Sequence, residues 1–243
     1  MKDEDKKSIS HPITLNYAVI CTVFDLSNDP KILLVDYKER NDCEIQQKLP
    51  AGRFQAQDLM TTIESFLQKN GRNQSLEFFC MTVDDLNGKY LSSIESAQNI
   101  SEQNFFFNNF TERLLVGLQG CRLSEVEFEE ILMQTHLNTA RHELKEETKS
   151  TRIGDIYISS VSSKDGLHYK IGFVSSDVDA PNFYVGSPDR KILKSYWSLI
   201  NENNIRTLFN GHKINFQEGI REAIKLKLHP KVERLESFLT AVN

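Results

Sequence analysis

Glu143, Glu146 and Glu147 sit three and four positions apart in the stretch ARHELKEETK. Residues at that spacing are neighbours on a helix. At 100° per residue the three carboxylates share an arc of roughly 100°, with Arg141 and Lys145 on the far side. A solvated helix gains by interleaving the two signs; here each like-charge pair costs on the order of 0.2–0.5 kcal/mol. Glu146 and Glu147 also approach the C-terminal end of the expected helix, where the macrodipole disfavours anions. A divalent cation is the simplest compensation. A hard ion such as Mg²⁺ takes oxygen from a few carboxylates and keeps waters for substrate phosphates. The plain alternative is an exposed helix with chance clustering, and the rest of the chain has to decide.

The elements that must position these glutamates are legible in outline. SEVEFEEILMQTHLNTARHELKEETK predicts one long helix. Ser124 with Glu127 three later is a capping-box signature. Val126, Ile131, Leu132, Leu137, Ala140 and Leu144 form a broken apolar stripe at helical spacing. The glutamates fall on its C-terminal half. Near the start, Leu15–Asp25 and Lys31–Tyr37 are rich in β-branched and aromatic residues, and the turn cluster LSNDP between them predicts a hairpin. A polar loop then leads into KLPAGRF, residues 48–54, where Pro50 and Gly52 predict a tight irregular loop.

Residues 56–123 predict a mostly helical insertion. DLMTTIESFLQKNG is helical in pattern and closes on Asn70-Gly71, a C-cap signal. SLEFFCMTVDDLNGKY fits strand or helix. Phe105, Phe106, Phe107 and Phe110 read first as core, with a partner or substrate surface as the sharper alternative. After the long helix, GDIYISSVSS and LHYKIGFVSSDV predict strands joined by a turn at Lys164-Asp165-Gly166. PNFYVGSPDR predicts a loop, KSYWSLINENNIRTLFNG a strand running into a short helix, and the remainder helices parted near Pro230. The order is an α+β pattern. Residues 1–12 are expected to be a flexible tail, 13–55 with 124–243 one domain, and 56–123 the insertion.

Composition narrows the function classes. The chain has 243 residues and a net charge of −5, with no basic block, which argues against a nucleic-acid partner. The four cysteines, Cys21, Cys43, Cys80 and Cys121, include no C-x-x-C pair, so zinc and dithiol chemistry are not indicated. The start MKDEDKKSIS lacks an apolar export core, and no apolar run approaches the ~18 residues of a membrane span. The expected setting is cytoplasmic with free thiols, export without a classical signal being left open.

KLPAGRF after a strand pair and HELKEETK on a later helix together resemble the Nudix hydrolases, whose box runs G-x5-E-x7-R-E-U-x-E-E-x-G-U. Gly52 resembles the box glycine, and Glu143-Leu144-Lys145-Glu146-Glu147 matches E-U-x-E-E. Tyr196-Trp197-Ser198-Leu199 before a terminal helix resembles the family's ending. The resemblance covers about residues 13–55 and 134–226. It departs from the pattern at His142, where the box has arginine with Arg141 one step earlier. It departs again at Gln134 for the early glutamate and at Lys149 for the late glycine. Ninety positions separate Gly52 from His142 where the pattern has fourteen, so the box is split by 76 residues. Such a split is tolerable because loop-closure cost grows slowly with length.

The resemblance implies a mixed β-sheet sandwiched between helices. It implies metal-dependent hydrolysis of a pyrophosphate bond in a nucleoside diphosphate linked to another moiety. L-P-A-G favours an ADP-ribose or nucleotide-sugar substrate; Tyr169 points more weakly to dinucleoside polyphosphates. By that pattern Glu143, Glu146, Glu147 and the Ala51 carbonyl would hold Mg²⁺ or Mn²⁺. Glu143 would orient or deprotonate water, with Asp165, Asp177, Asp179 and Glu218 as alternatives, and Arg53 would contact a phosphate. His168 and Trp197 are lesser candidates. The competing readings are a degenerate module that binds a nucleotide without cleaving it and an interaction protein working through its insertion. A homodimer or a protein partner at the insertion would be compatible with either.

Overall fold

β1 (Asn16–Asp25) shows how the glutamate helix is positioned. Val19, Ile20, Cys21, Thr22, Val23 and Phe24 are all buried, an unbroken run that marks a strand covered on both faces. Ile20 and Phe24 pack with Phe216, Ile220 and Ala223 of helix α5 (Asn210–Lys225). Thr22 Oγ1 donates to the Asn215 carbonyl at 3.2 Å on that same face. Cys21 points the other way, its sulfur 4.0 Å from the carbonyl of Ala140 on helix α3 (Glu125–Thr148). The strand's two-residue period thus places α5 on one side and the C-terminal half of α3 on the other.

The structure is a computed structural model that describes residues 16–38, 44–53, 56–86, 88–89, 93, 113, 120–121, 123–164, 168–186, 192–208 and 210–239. The sheet runs β6 (Tyr157–Lys164), β7 (His168–Ser175), β1, β2 (Lys31–Tyr37), β10 (Ile192–Leu199), β9 (Phe183–Val185). β7 and β1 are parallel, from Asn16 opposite His168 to Val23 opposite Ser175. The other neighbours are antiparallel. The architecture is α+β.

β1 and β2 pair only beside their turn, at Phe24 with Ile32 and Asp25 with Lys31. Asp25 Oδ1 accepts from the Ser27 N–H at 3.0 Å and closes that turn. Beyond it the strands part. The gap takes β3 (Gln46–Lys48) on β2 and β4 (Ala51–Arg53) on β1, with Leu49 and Pro50 crossing between. KLPAGRF is therefore two short strands joined by a crossing rather than an irregular loop, because each half finds its own open edge. PNFYVGSPDR is corrected in the same way: Phe183–Val185 pairs with β10 through Tyr196 and Lys194. β5 (Arg152–Ile153) and β8 (Val178–Asp179) form a separate two-stranded corner.

The chain divides into two compact units, Met1–Leu15 with Gln55–Thr135, and Asn16–Phe54 with His136–Asn243. The division falls inside α3. In the first unit, α1 (Ala56–Lys69) buries Leu59, Ile63 and Leu67, one per turn. It ends on Gly71 at φ +64°, with Gly71 N–H donating to Gln68 O and Arg72 N–H to Leu67 O. That is a Schellman cap, which glycine enters without a Cβ penalty. α2 (Asn73–Leu86) resolves the ambiguous stretch as helix, with Phe79, Val83 and Leu86 buried. At the start of α3 the capping box forms, Ser124 N–H donating to Glu127 at 2.8 Å and Glu127 N–H to Ser124 at 3.3 Å. Ile131, Ala140 and Leu144 are fully buried, but Val126 is 72% exposed. Val126 lies 18 residues, five full turns, before Leu144 and so on the same helix face, but this half of α3 buries the face of Ile131, about 140° away.

The tail, the phenylalanine cluster at 105–110 and the Asp165-Gly166 turn lie outside the described residues. Among the described residues no helix is long and apolar enough to cross a membrane.

Candidate functional site

Ala140 and Leu144 anchor the C-terminal half of α3, and the glutamates follow from that rotation. Glu143 is buried, Glu146 exposed, and Glu147 lies between. Thr148 donates back to the Leu144 carbonyl and shares a 2.6 Å hydrogen bond with Ser150. Lys149 then takes φ +55° and its N–H bonds the Lys145 carbonyl at 3.0 Å, ending the helix. This left-handed position costs a side chain about 1 kcal/mol, which glycine avoids.

The crossing after β3 meets these glutamates. Ala51 N–H donates to Glu147 Oε2 at 2.9 Å, across 96 positions of sequence. Gly52 lies so close to Glu143 that an added Cβ would stand 1.8 Å from its carboxyl carbon. Gly52 is thus required by close approach rather than by a turn. A cleft of about 240 Å³ opens here, lined by Glu143, Glu146, Glu147, Tyr184, Gly186 and Ile192. One wall is acidic. The other comes from β9 and the start of β10, drawn together where Gly186 N–H donates to Leu193 O at 2.8 Å. The Lys149 ammonium lies 5.6 Å from the centre of the Tyr184 ring.

Burial raises the Glu147 carboxyl well above its ordinary pKa. The Ala51 N–H opposes that rise, Glu143 adds to it, Lys48 opposes it and Glu146 adds to it. The Cys21 thiol, on the side of β1 facing α3, is pushed up by burial and by the charges of Glu147 and Glu143, so it stays protonated. His142 Nε2 is 3.3 Å from Glu146 Oε1, one turn on.

The other candidates separate. Arg53 is exposed on β4 and is not among the cleft-lining residues. Asp177 pairs with Arg152 at 3.0 Å and Asp179 accepts from Thr151 at 2.9 Å, both in the β5–β8 corner. Glu218 pairs with Arg221 on α5. Trp197 Nε1 donates to the Ala180 carbonyl at 3.1 Å, a packing role. His168 lies in β7, and Asp165 falls outside the described residues.

Sequence reasoning missed Tyr184 and Gly186, which came in with a segment expected to be loop. It also missed Lys48 as a charge acting on Glu147, and His212. The Nδ1 atom of His212 on α5 accepts from Leu49 N–H at 3.1 Å. Adjacency to L-P-A-G was a usable signal for Lys48; nothing in spacing pointed to His212.

Among the described residues no three His, Cys, Asp or Glu side chains converge closely enough to hold an ion as they stand. The donors are nonetheless all oxygen, and one is a buried carboxylate beside another, the chemistry that a hard cation relieves. Mg²⁺ also needs only one or two carboxylates when waters and substrate phosphates complete its shell.

No family model matches this chain, no curated protein matches it, and no solved structure matches it.

Proposed function

We propose that the chain is a metal-dependent pyrophosphohydrolase of the Nudix type. Its substrate class would be a nucleoside diphosphate linked to another moiety, of the ADP-ribose or nucleotide-sugar kind. The observation that carries this reading is the meeting of the two halves of the split motif: Ala51 N–H on Glu147 and Gly52 against Glu143. A chance-charged helix has no reason to bury these carboxylates against that particular segment. The split sheet, with β4 held on β1, and the helices on both faces of β1 support the same reading.

Glu143 and Glu147 would hold Mg²⁺ or Mn²⁺, with Glu146 and the Ala51 carbonyl as further oxygen donors. A divalent ion bound there supplies polarisation of the phosphoryl oxygens and a bound water of lowered pKa. Glu143, the more buried acid of the pair, is the residue to orient that water. Ala51 N–H holds one oxygen of Glu147 and leaves the other to a cation. Tyr184, Gly186 and Ile192 shield the far wall of the cleft, and positioning supplies most of the catalysis in displacement at phosphorus.

One observation favours a binding module instead. His142 engages Glu146, and a histidine offers a single donor where the box arginine would offer a fork. Turnover separates the two. The experiment is nucleotide or phosphate release from ADP-ribose, NADH, nucleotide sugars, diadenosine polyphosphates and nucleoside triphosphates, with and without Mg²⁺ or Mn²⁺. Metal-dependent cleavage of one class is the expected result. Metal binding without cleavage selects the binding module, and neither binding nor cleavage removes both readings.

A further inference from the structure

His212 stands outside the cleft, and nothing in the chemistry above uses it. It is buried at 7% exposure near the start of α5. Its partner, Leu49 N–H, belongs to a place the sheet cannot serve. β3 is paired with β2 as far as Lys48, and β4 with β1 from Ala51 onward. Leu49 and Pro50 cross between the two ladders. Proline brings no N–H, and the Pro50 carbonyl is taken by Cys21 N–H at 2.8 Å. The Leu49 N–H is thus the remaining donor of a buried crossing, and a buried donor must find a partner.

We propose that His212 is a positioning residue for the candidate site: by accepting at Nδ1 it fixes the Leu49–Gly52 crossing, which presents Ala51 N–H to Glu147 and a bare backbone to Glu143. The crossing is then pinned at two points, Cys21 on one side and His212 on the other. The approach to α5 is braced separately. Thr207, the last residue of α4 (Glu202–Thr207), donates to Gln47 Oε1 at 2.7 Å, Gln47 donates to the Tyr196 hydroxyl at 2.6 Å, and Leu208 bridges Gln47. Accepting at Nδ1 places the ring proton on Nε2. Burial, then the charges of Lys48 and Lys170, lower the imidazole pKa to about 3, so the acceptor lone pair is kept. Lys48 therefore acts in both directions from one position, holding His212 neutral and favouring the ionised Glu147.

The effect on metal binding rests on the reading of the cleft as a metal site; the effect on the crossing does not. Two variants of the full chain separate acceptor from bulk. His212→Asn places an amide oxygen where Nδ1 was, and His212→Leu fills space without an acceptor. Amide exchange by NMR is the first readout. Exchange at Ala51 is expected to rise about tenfold or more in H212L, with β7 amides unchanged and H212N within about threefold of the parent. Mn²⁺ affinity should weaken roughly tenfold in H212L and recover in H212N. Unchanged Ala51 protection in a folded H212L would overturn the proposal. A parent protein that binds no Mn²⁺ defeats the metal reading while the exchange result stands by itself. If H212L does not fold, imidazole ¹⁵N shifts of the parent decide: a bare Nδ1 supports the assignment and a protonated Nδ1 overturns it.

Discussion

Among the described residues, two places press a glycine against a carboxylate. At Gly52 an added Cβ would stand 1.8 Å from the Glu143 carboxyl carbon; at Gly154 it would stand 1.8 Å from Asp177 Oδ2. The surroundings differ. Asp177 is exposed, pairs with Arg152 and sits in a two-stranded corner whose backbone also bonds, Gly154 N–H to Asp177 O at 2.7 Å. Glu143 is buried, with Glu147 and Glu146 beside it on one helix face. One local device serves opposite charge balances. The corner is self-contained and needs nothing further; the cleft concentrates like charge and stands to gain from a cation.

The largest expected effect breaks the cleft and spares the corner. Glu147→Gln should abolish metal-dependent turnover, a loss of about 10³-fold or more given the several kcal/mol such an ion supplies. Its metal-free thermal midpoint should be equal or higher, since a carboxyl whose ionisation burial opposes is gone. Asp177→Asn should leave turnover within about twofold, because exposed ion pairs contribute little. Equal loss in both variants, in a release assay with Mg²⁺, would erase the distinction.

Second, Gly52→Ala and Gly154→Ala should each destabilise by about 1–3 kcal/mol in denaturant titrations, the usual cost of overpacking. Only Gly52→Ala should also weaken Mn²⁺ binding, by calorimetry, because the displaced group is Glu143.

Third, the metal-free protein should carry two opposed pH slopes, each no steeper than about 1.4 kcal/mol per unit. The raised pKa of Glu147 means its folded form keeps a proton that the unfolded chain has lost, so stability falls as pH rises above the unfolded value. His212, lowered to about 3, does the reverse: its contribution is full above the unfolded value near 6.5 and is lost as pH falls toward 3. Mg²⁺ should therefore stabilise more at pH 8 than at pH 5, and H212N should remove the His212 part of the acid limb, leaving that of Asp25 and Glu127, whose carboxyls are held below their ordinary range; thermal melts across pH check both.

The smallest effect is at the helix end. Lys149→Gly should add about 0.5–1 kcal/mol of stability by relieving the left-handed strain at φ +55°, read as a shift in denaturant midpoint.

Much of this was legible in the sequence where structure is local. The hairpin of β1 and β2, the Ser124 cap, the Gly71 terminus and the shared face of the glutamates all follow from residues within a few positions of one another. The short strands β3, β4 and β9 were not legible. Three residues carry too little pattern, and each becomes a strand only because a longer neighbour offers an edge. Val126 was misplaced because a single stripe was drawn along α3, whereas its two halves bury different faces, that of Ile131 first and that of Ala140 and Leu144 later. His212 was invisible for a deeper reason. It answers a backbone donor 163 positions away, and backbone donors carry no letter.

The hydrogen bond from Ala51 to Glu147 has a kinetic consequence. In a contiguous box the loop and the helix would meet across a short closure. Here they meet across 96 positions, and closing the longer loop costs roughly 1.4 kcal/mol more by the logarithmic law. The turns of α3 can form from neighbours alone, but the contact that makes them a site has high contact order and awaits the edge of β1. The candidate site, in this chain, is expected to be among the last parts to form.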